Sequence, residues 1–99
     1  MPMDRVFEHG GNTFVWDEEK AAENLEEHGV AFEEAATVFD DPLFRLKDAT
    51  RNEEARDAAI GFSSAARLLT VVHLEIDGEF IRIISAWRAS AAEEGLYAE

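Results

Sequence analysis

At 99 residues the chain has the length of one domain, which buries roughly 65% of the surface its unfolded chain exposes. A hydrophobic content of 46% with no cysteine argues for a globular fold. It excludes disulfides, thiolate metal sites and a cysteine nucleophile, and suits a reducing, cytoplasmic setting. The net charge of −13 leaves two explanations open: a surface that attracts a basic partner, or one adapted to high salt, where charges are screened within about 3 Å at 1 M. The acids run from Asp4 to Glu99 rather than in one block, which favours adaptation. Either way the surface fits nonspecific nucleic-acid binding poorly at ordinary salt.

In chain order, Met1–His9 carries charge without an apolar run, so no signal peptide is expected. No apolar stretch approaches the ~20 residues of a membrane span. Arg5–His9 and Thr13–Trp16 read as strands around a Gly10-Gly11-Asn12 turn. Asp17 is a good N-cap, Glu18 and Glu19 suit a first helical turn, and Gly29 suits a left-handed stop, which predicts a helix over Glu18–His28. On it Ala21, Leu25 and His28 share one face, and Lys20 and Asn24 another.

A second helix is predicted over Phe32–Phe39, with Phe32, Ala35, Ala36 and Phe39 inward and Asp40-Asp41-Pro42 as its stop. The two helices should form a hairpin packed on a sheet. Leu43–Lys47 reads as a short strand and Asp48–Glu54 as a loop. Arg56–Phe62, Leu68–Ile76 and Glu79–Trp87 read as three strands, and Arg88–Ala98 as a closing helix. The expected class is α+β in a single domain over 1–99: an antiparallel sheet, a helical hairpin and a C-terminal helix.

Asp77-Gly78 between two apolar runs is a strong hairpin signal. A two-residue turn there would pair Leu74 with Ile81, His73 with Arg82, and Thr70 with Ser85. Leu74, Val72, Ile81 and Ile83 would then face the helices. His73, Glu75, Arg82, Phe80, Val71 and Ile84 would face away, an apolar surface with a polar cluster in its middle.

Several stretches resemble BrnT toxins. In the first half these are Phe14-Val15-Trp16-Asp17, Lys20, Asn24, His28-Gly29-Val30, Phe32-Glu33-Glu34-Ala35 and Val38-Phe39-Asp40-Asp41-Pro42. In the second half they are Ile60-Gly61-Phe62-Ser63, Val72-His73, Arg82-Ile83-Ile84-Ser85-Ala86, Glu93 and Tyr97. The resemblance covers nearly the whole chain. It implies a RelE-like fold, a ribonuclease that inhibits translation, and a complex with a BrnA-like antitoxin, through which alone the protein meets DNA. The sequence departs from the family where a basic helix usually follows the Ile-Ile-Ser-Ala segment: Trp87, Ala91, Ala92 and Glu94 stand there, and of that helix only Arg88 remains basic. A weakened ribonuclease and a catalytically silent antitoxin-binding module are the two resulting readings.

RNA cleavage without a metal needs a base for the 2′-hydroxyl proton, an acid for the leaving oxygen, and cations for the phosphorane. His73, Arg82, Arg88 and Glu93 are the candidate catalytic residues, and Arg56, Ser85, Tyr97 and His28 the candidate substrate-binding ones. Histidine titrates in the useful range, and guanidinium grips phosphate oxygens in pairs. Each also has a structural reading. His28 suits a helix C-terminus, Arg82 can pair with Glu75, Arg56 with its acidic neighbours, and Lys20 and Asn24 can hold the helical hairpin. Phe80 and Trp87 are expected in the antitoxin interface. The three histidines lack metal-ligand spacing, and no phosphate loop or serine-hydrolase elbow is present, so no cofactor or metal is expected.

Overall fold

The computed structural model describes residues 4–99. Its elements are β1 (Asp4–His9), β2 (Asn12–Asp17), α1 (Glu18–His28), α2 (Phe32–Ala36) continued by a 3-10 turn (Thr37–Asp40), β3 (Arg45–Asp48), β4 (Asp57–Phe62), β5 (Leu68–Ile76), β6 (Phe80–Arg88) and α3 (Ala91–Ala98). The fold is α+β, with one six-stranded sheet in the order β1-β2-β6-β5-β4-β3. It is mixed rather than antiparallel throughout. From β2 the chain crosses through the helices to the far edge and meanders back, so that β6 lands beside β2 in parallel, Thr13–Val15 opposite Phe80–Arg82. A crossover of that length is what parallel pairing requires.

Local chemistry explains α1. The Asp17 carboxylate accepts from Glu19 N (2.9 Å) and Lys20 N (3.1 Å). Gly29, at φ +68°, turns the chain left-handed and returns its N–H to Leu25 O at 2.9 Å. The second helix is shorter than expected, ending as an α-helix at Ala36. There the Thr37 hydroxyl donates to Glu34 O (2.6 Å) and accepts from Ser64 N (2.8 Å). It ties the helix end to the β4–β5 loop, and the tighter 3-10 turn then carries the chain to Asp40.

The core lies between these helices and one face of the sheet. Phe14 and Trp16 of β2 meet Phe32, Ala35 and Val38 from above, and Leu69, Val71, Ile83 and Ala86 from the sheet. Trp16 and Phe32 pack edge to face at 5.7 Å. Burying each such side chain contributes roughly 1.5–3 kcal/mol. The helix α3 lies on the other face, against β4, where Tyr97 meets Phe62 edge-on at 5.3 Å.

The β5–β6 hairpin differs from the expected register. Asp77 and Gly78 have φ of +55° and +68° and Glu79 N bonds to Ile76 O at 3.0 Å. The first strand pair is nevertheless Ile76 with Phe80, which leaves Glu79 as a third loop residue. His73 therefore pairs with Ile83 and Leu74 with Arg82. A bulge follows, with Ile84 as the extra residue, and Val72 pairs with Ser85, Val71 with Ala86, and Thr70 with Trp87. The helix side of the hairpin carries Val71, His73, Glu75, Ile81, Ile83 and Ala86, and the opposite side Thr70, Val72, Leu74, Arg82, Ser85 and Trp87. The expected assignment of faces is thus reversed for β5.

Gly61 of β4 lies directly beneath the segment that follows α2. A Cβ at this position would sit 2.9 Å from the Phe44 Cβ and 3.1 Å from a Val38 methyl. Neither neighbour is the free end of a flexible chain. Gly61→Ala is expected to cost about 1–3 kcal/mol, read as a lower urea midpoint with an unchanged slope. An unchanged midpoint would mean that this contact is looser than described.

Candidate functional site

One carboxamide organises the surface where the candidate residues gather. Asn24, 5% exposed, donates from Nδ2 to Val30 O (3.0 Å) and to Ala86 O (2.9 Å), and its Oδ1 accepts from Ala86 N (3.0 Å). Strand β2 pairs with β6 only as far as Arg82. Beyond that point Asn24 supplies the donor and acceptor that a neighbouring strand would have offered. This fixes α1 along the second half of β6.

The seam between α1 and β6 holds a depression of about 190 Å³ lined by Lys20, Glu23, Asn24, Glu27, His28, Ile84 and Ser85. Lys20, Asn24 and His28, at spacings of four residues, share this side of α1. His28 therefore keeps company with Lys20 and Asn24 rather than with Ala21 and Leu25. Its ring stands 6.2 Å from that of Trp87. Nε2 lies 3.9 Å from Glu27 Oε2.

Arg82, Ser85 and Trp87 follow one another along the same face of β6. The Arg82 guanidinium pairs with Asp4 at 2.9 Å, rather than with Glu75. Arg88, paired with Leu69 on the helix side, is exposed and makes no ion pair among the described residues.

Glu93 has a structural position that its sequence announces. Ser90 and Glu93 form a capping box at the start of α3, with Glu93 N bonded to Ser90 Oγ (3.2 Å) and Ser90 N to Glu93 Oε1 (2.8 Å). The same oxygen accepts from Trp87 Nε1 at 3.1 Å. Burial pushes the Glu93 carboxyl upward. The bonds from Ser90 and the Trp87 indole outweigh it, and the pKa lies below the ordinary value. The buried Thr70 hydroxyl approaches this carboxylate without closing a well-formed hydrogen bond. Glu93 is thus held ionised and fixes the Trp87 indole. Because the box starts α3 at Ala91, Arg88 ends β6 rather than opening the helix.

The other candidates lie elsewhere. His73, 5% exposed, is on the opposite face of the sheet from Arg82, its ring against Phe39 at 4.9 Å. The expected side-by-side placement of His73 and Arg82 is therefore overturned, by the third loop residue that shifts the hairpin. Arg56 pairs with Glu54 at 2.6 Å just before β4, two strands from β6. Tyr97 donates to Asp41 Oδ2 at 2.7 Å.

Asp41 is a hub that the sequence suggested only as a helix stop. It also accepts from Leu43 N (2.9 Å) and Phe62 N (2.9 Å). Among the described residues no three His, Asp or Glu side chains gather as a metal-ligand set, and no helix is long and apolar enough to cross a membrane.

The family model described as the ribonuclease toxin BrnT of type II toxin–antitoxin systems matches residues 16–93. The chain belongs to the BrnT family of ribonuclease toxins. The crystal structure of the Brucella abortus ribonuclease toxin BrnT, determined at 1.1 Å, superposes with a TM-score of 0.60 at 25% identity, over 76% of this chain and 92% of that one. Among curated protein sequences none matches. The BrnT match spans β2 Trp16 through α3 Glu93 and so contains the whole α1–β6 seam.

Burial pushes the Asp41 carboxyl up, but the Phe62, Tyr97 and Leu43 bonds bring it below 3.8. Tyr97 is in turn raised by Asp41, as expected for a hydroxyl that donates to a carboxylate. A lowered carboxyl stabilises fully above its unfolded value and loses that contribution as pH falls through its folded value. Tyr97→Phe is therefore expected to melt below the parent at pH 7, with the gap narrowing as pH drops under 3.8. Thermal melts across pH 2–7 would show it; a gap independent of pH would contradict the assignment.

Proposed function

We propose that this BrnT-family chain is a metal-independent endoribonuclease that inhibits translation, and that its RNA lies along the α1–β6 seam. The observation that carries this reading is the gathering of His28, Lys20 and Ser85 around one depression, with the Trp87 ring at its rim. His28 is the exposed proton-transfer group there, suited to take the 2′-hydroxyl proton and return one to the leaving oxygen. Lys20 is the cation within the depression; Arg88, exposed at the end of β6 on the helix side, and Arg82, once it exchanges Asp4 for a phosphate oxygen, reach the RNA backbone at separate points. Trp87 offers a base a stacking surface, oriented by Glu93. His73, on the other face among carboxylates, is not assigned to the reaction.

The partner is a BrnA-like antitoxin in a hetero-oligomer, bound over Phe80, Trp87 and α3, with DNA reached only through it. Phe80 and Trp87 lie on one side of β6, at its two ends, and Trp87 bonds to α3 through Glu93, so one partner covering both would also shut the seam. The setting is cytoplasmic, and residues 1–99 act as one domain.

A second reading, a silent antitoxin-binding module, is favoured by Glu23 and Glu27 in the depression and by the Asp4 carboxylate on Arg82. These acids repel phosphate at low salt. RNA cleavage in EDTA, at low and at molar potassium chloride, separates the two readings. The parent is expected to cleave, more strongly in high salt. His28→Ala should lose about 10²–10⁴-fold, while His73→Ala keeps its rate. No cleavage by folded parent in either salt would establish the silent module. Loss in His73→Ala but not in His28→Ala would move the site to the other face.

A further inference from the structure

We propose that the depression on the helix-covered face of the sheet, beside β4–β6, is a binding site for the guanidinium of an arginine side chain. The argument is independent of the RNA reading, since this face is opposite Arg82 and Ser85.

The register sets one row of groups across this face. Asp48 of β3 stands opposite Asp57 of β4, Asp57 opposite His73 of β5, and His73 opposite Ile83 of β6. Like charges directly opposite one another destabilise a sheet. Two residue pairs further along, Glu75 lies on the same face opposite Ile81. Among the described residues the Asp57 and Glu75 carboxylates make no ion pair and no hydrogen bond. The arrangement is one of uncompensated negative charge.

His73 supplies the independent observation. It is 5% exposed and lines the depression. Its Nδ1 lies 3.1 Å from Val71 O. A carbonyl only accepts, so Nδ1 donates, and in the neutral ring Nε2 carries a lone pair that no hydrogen bond among the described residues engages. The depression thus offers an imidazole acceptor, two carboxylates and the Asn12 amide, walled by Phe39 and Phe44. These two rings meet edge to face at 5.5 Å.

Acceptors without a basic side chain repel phosphate and attract a donor-rich cation. With no three ligands close enough for a metal among the described residues, the cation is organic. Guanidinium matches best: it is flat, weakly hydrated, stacks on aromatic rings and donates to several acceptors at once. The volume of about 270 Å³ falls below that of drug-sized ligand pockets and fits one side chain. A chain with net charge −13 also favours a basic partner segment as its source.

The test is a backbone NMR titration of the full chain with N-acetyl-arginine-N-methylamide, its lysine counterpart, and free guanidinium. Expected are saturable shifts at Asp57, His73 and Glu75, stronger for the arginine compound than for lysine or free guanidinium. Affinity should weaken by about tenfold in Asp57→Asn or Glu75→Gln, the loss of one charge-assisted hydrogen bond. Glu75 is exposed in a strand end, so Glu75→Gln keeps the fold if Asp57→Asn does not. No saturable shift at these residues, an equal response to lysine, or shifts unchanged in both variants would each overturn the proposal.

Discussion

The carboxamide of Asn24 ties α1 both to the connection six residues on and to β6, 62 residues away. It closes the α1–α2 connection at Val30 and caps the free edge of β6 at Ala86, using both donor and acceptor. Asparagine is suited to this because its amide copies a peptide group. Aspartate would bring a second acceptor against two carbonyls, and alanine would leave three buried backbone groups unpaired, each costing roughly 1–3 kcal/mol. The parallel β2–β6 pairing stops at Arg82, and Asn24 makes the hydrogen bonds that hold α1 along the remainder of β6. The seam with Lys20, His28 and Ser85 follows from that one contact.

The sheet then separates two chemistries. On one side, Arg82, Ser85 and Trp87 stand in a row, with α3 held beside them by the Ser90–Glu93 box and the Trp87–Glu93 bond. On the other, His73 sits among Asp57, Glu75 and aromatic rings. A ribonuclease has use for the first environment and not for the second. The low lysine content, Lys20 and Lys47 alone, makes the position of Lys20 in the seam more telling than that of a lysine on an ordinary surface.

What could be read from the sequence was what is decided locally. Asp17 and Gly29 bracket α1 at its observed ends, and the Asp77-Gly78 turn falls where its residue types put it. The register could not be read, because Glu79 joins the loop and Ile84 bulges, and neither residue type marks such a role. One residue of shift exchanges sheet faces, which is why His73 and Arg82 are parted. The β2–β6 pairing and the Asp41 hub join residues 21 to 67 positions apart, beyond any local pattern. The Ser90-x-x-Glu93 capping signature stands in the sequence, but the closing helix is read there from Arg88; the box starts it at Ala91. The four-residue spacing of Lys20, Asn24 and His28 puts them on one side of α1, whereas the reading by apolar periodicity grouped His28 with Ala21 and Leu25.

The most direct test of this account is hydrogen exchange at the Ala86 amide. If Asn24 is the surrogate strand, the Ala86 N–H is protected in the parent nearly as well as the amides of central β5. In Asn24→Ala it then loses that protection while the β5–β6 ladder keeps its own. An Ala86 amide that exchanges freely in the parent, or that stays protected without the carboxamide, would contradict the claim that this one side chain builds the seam.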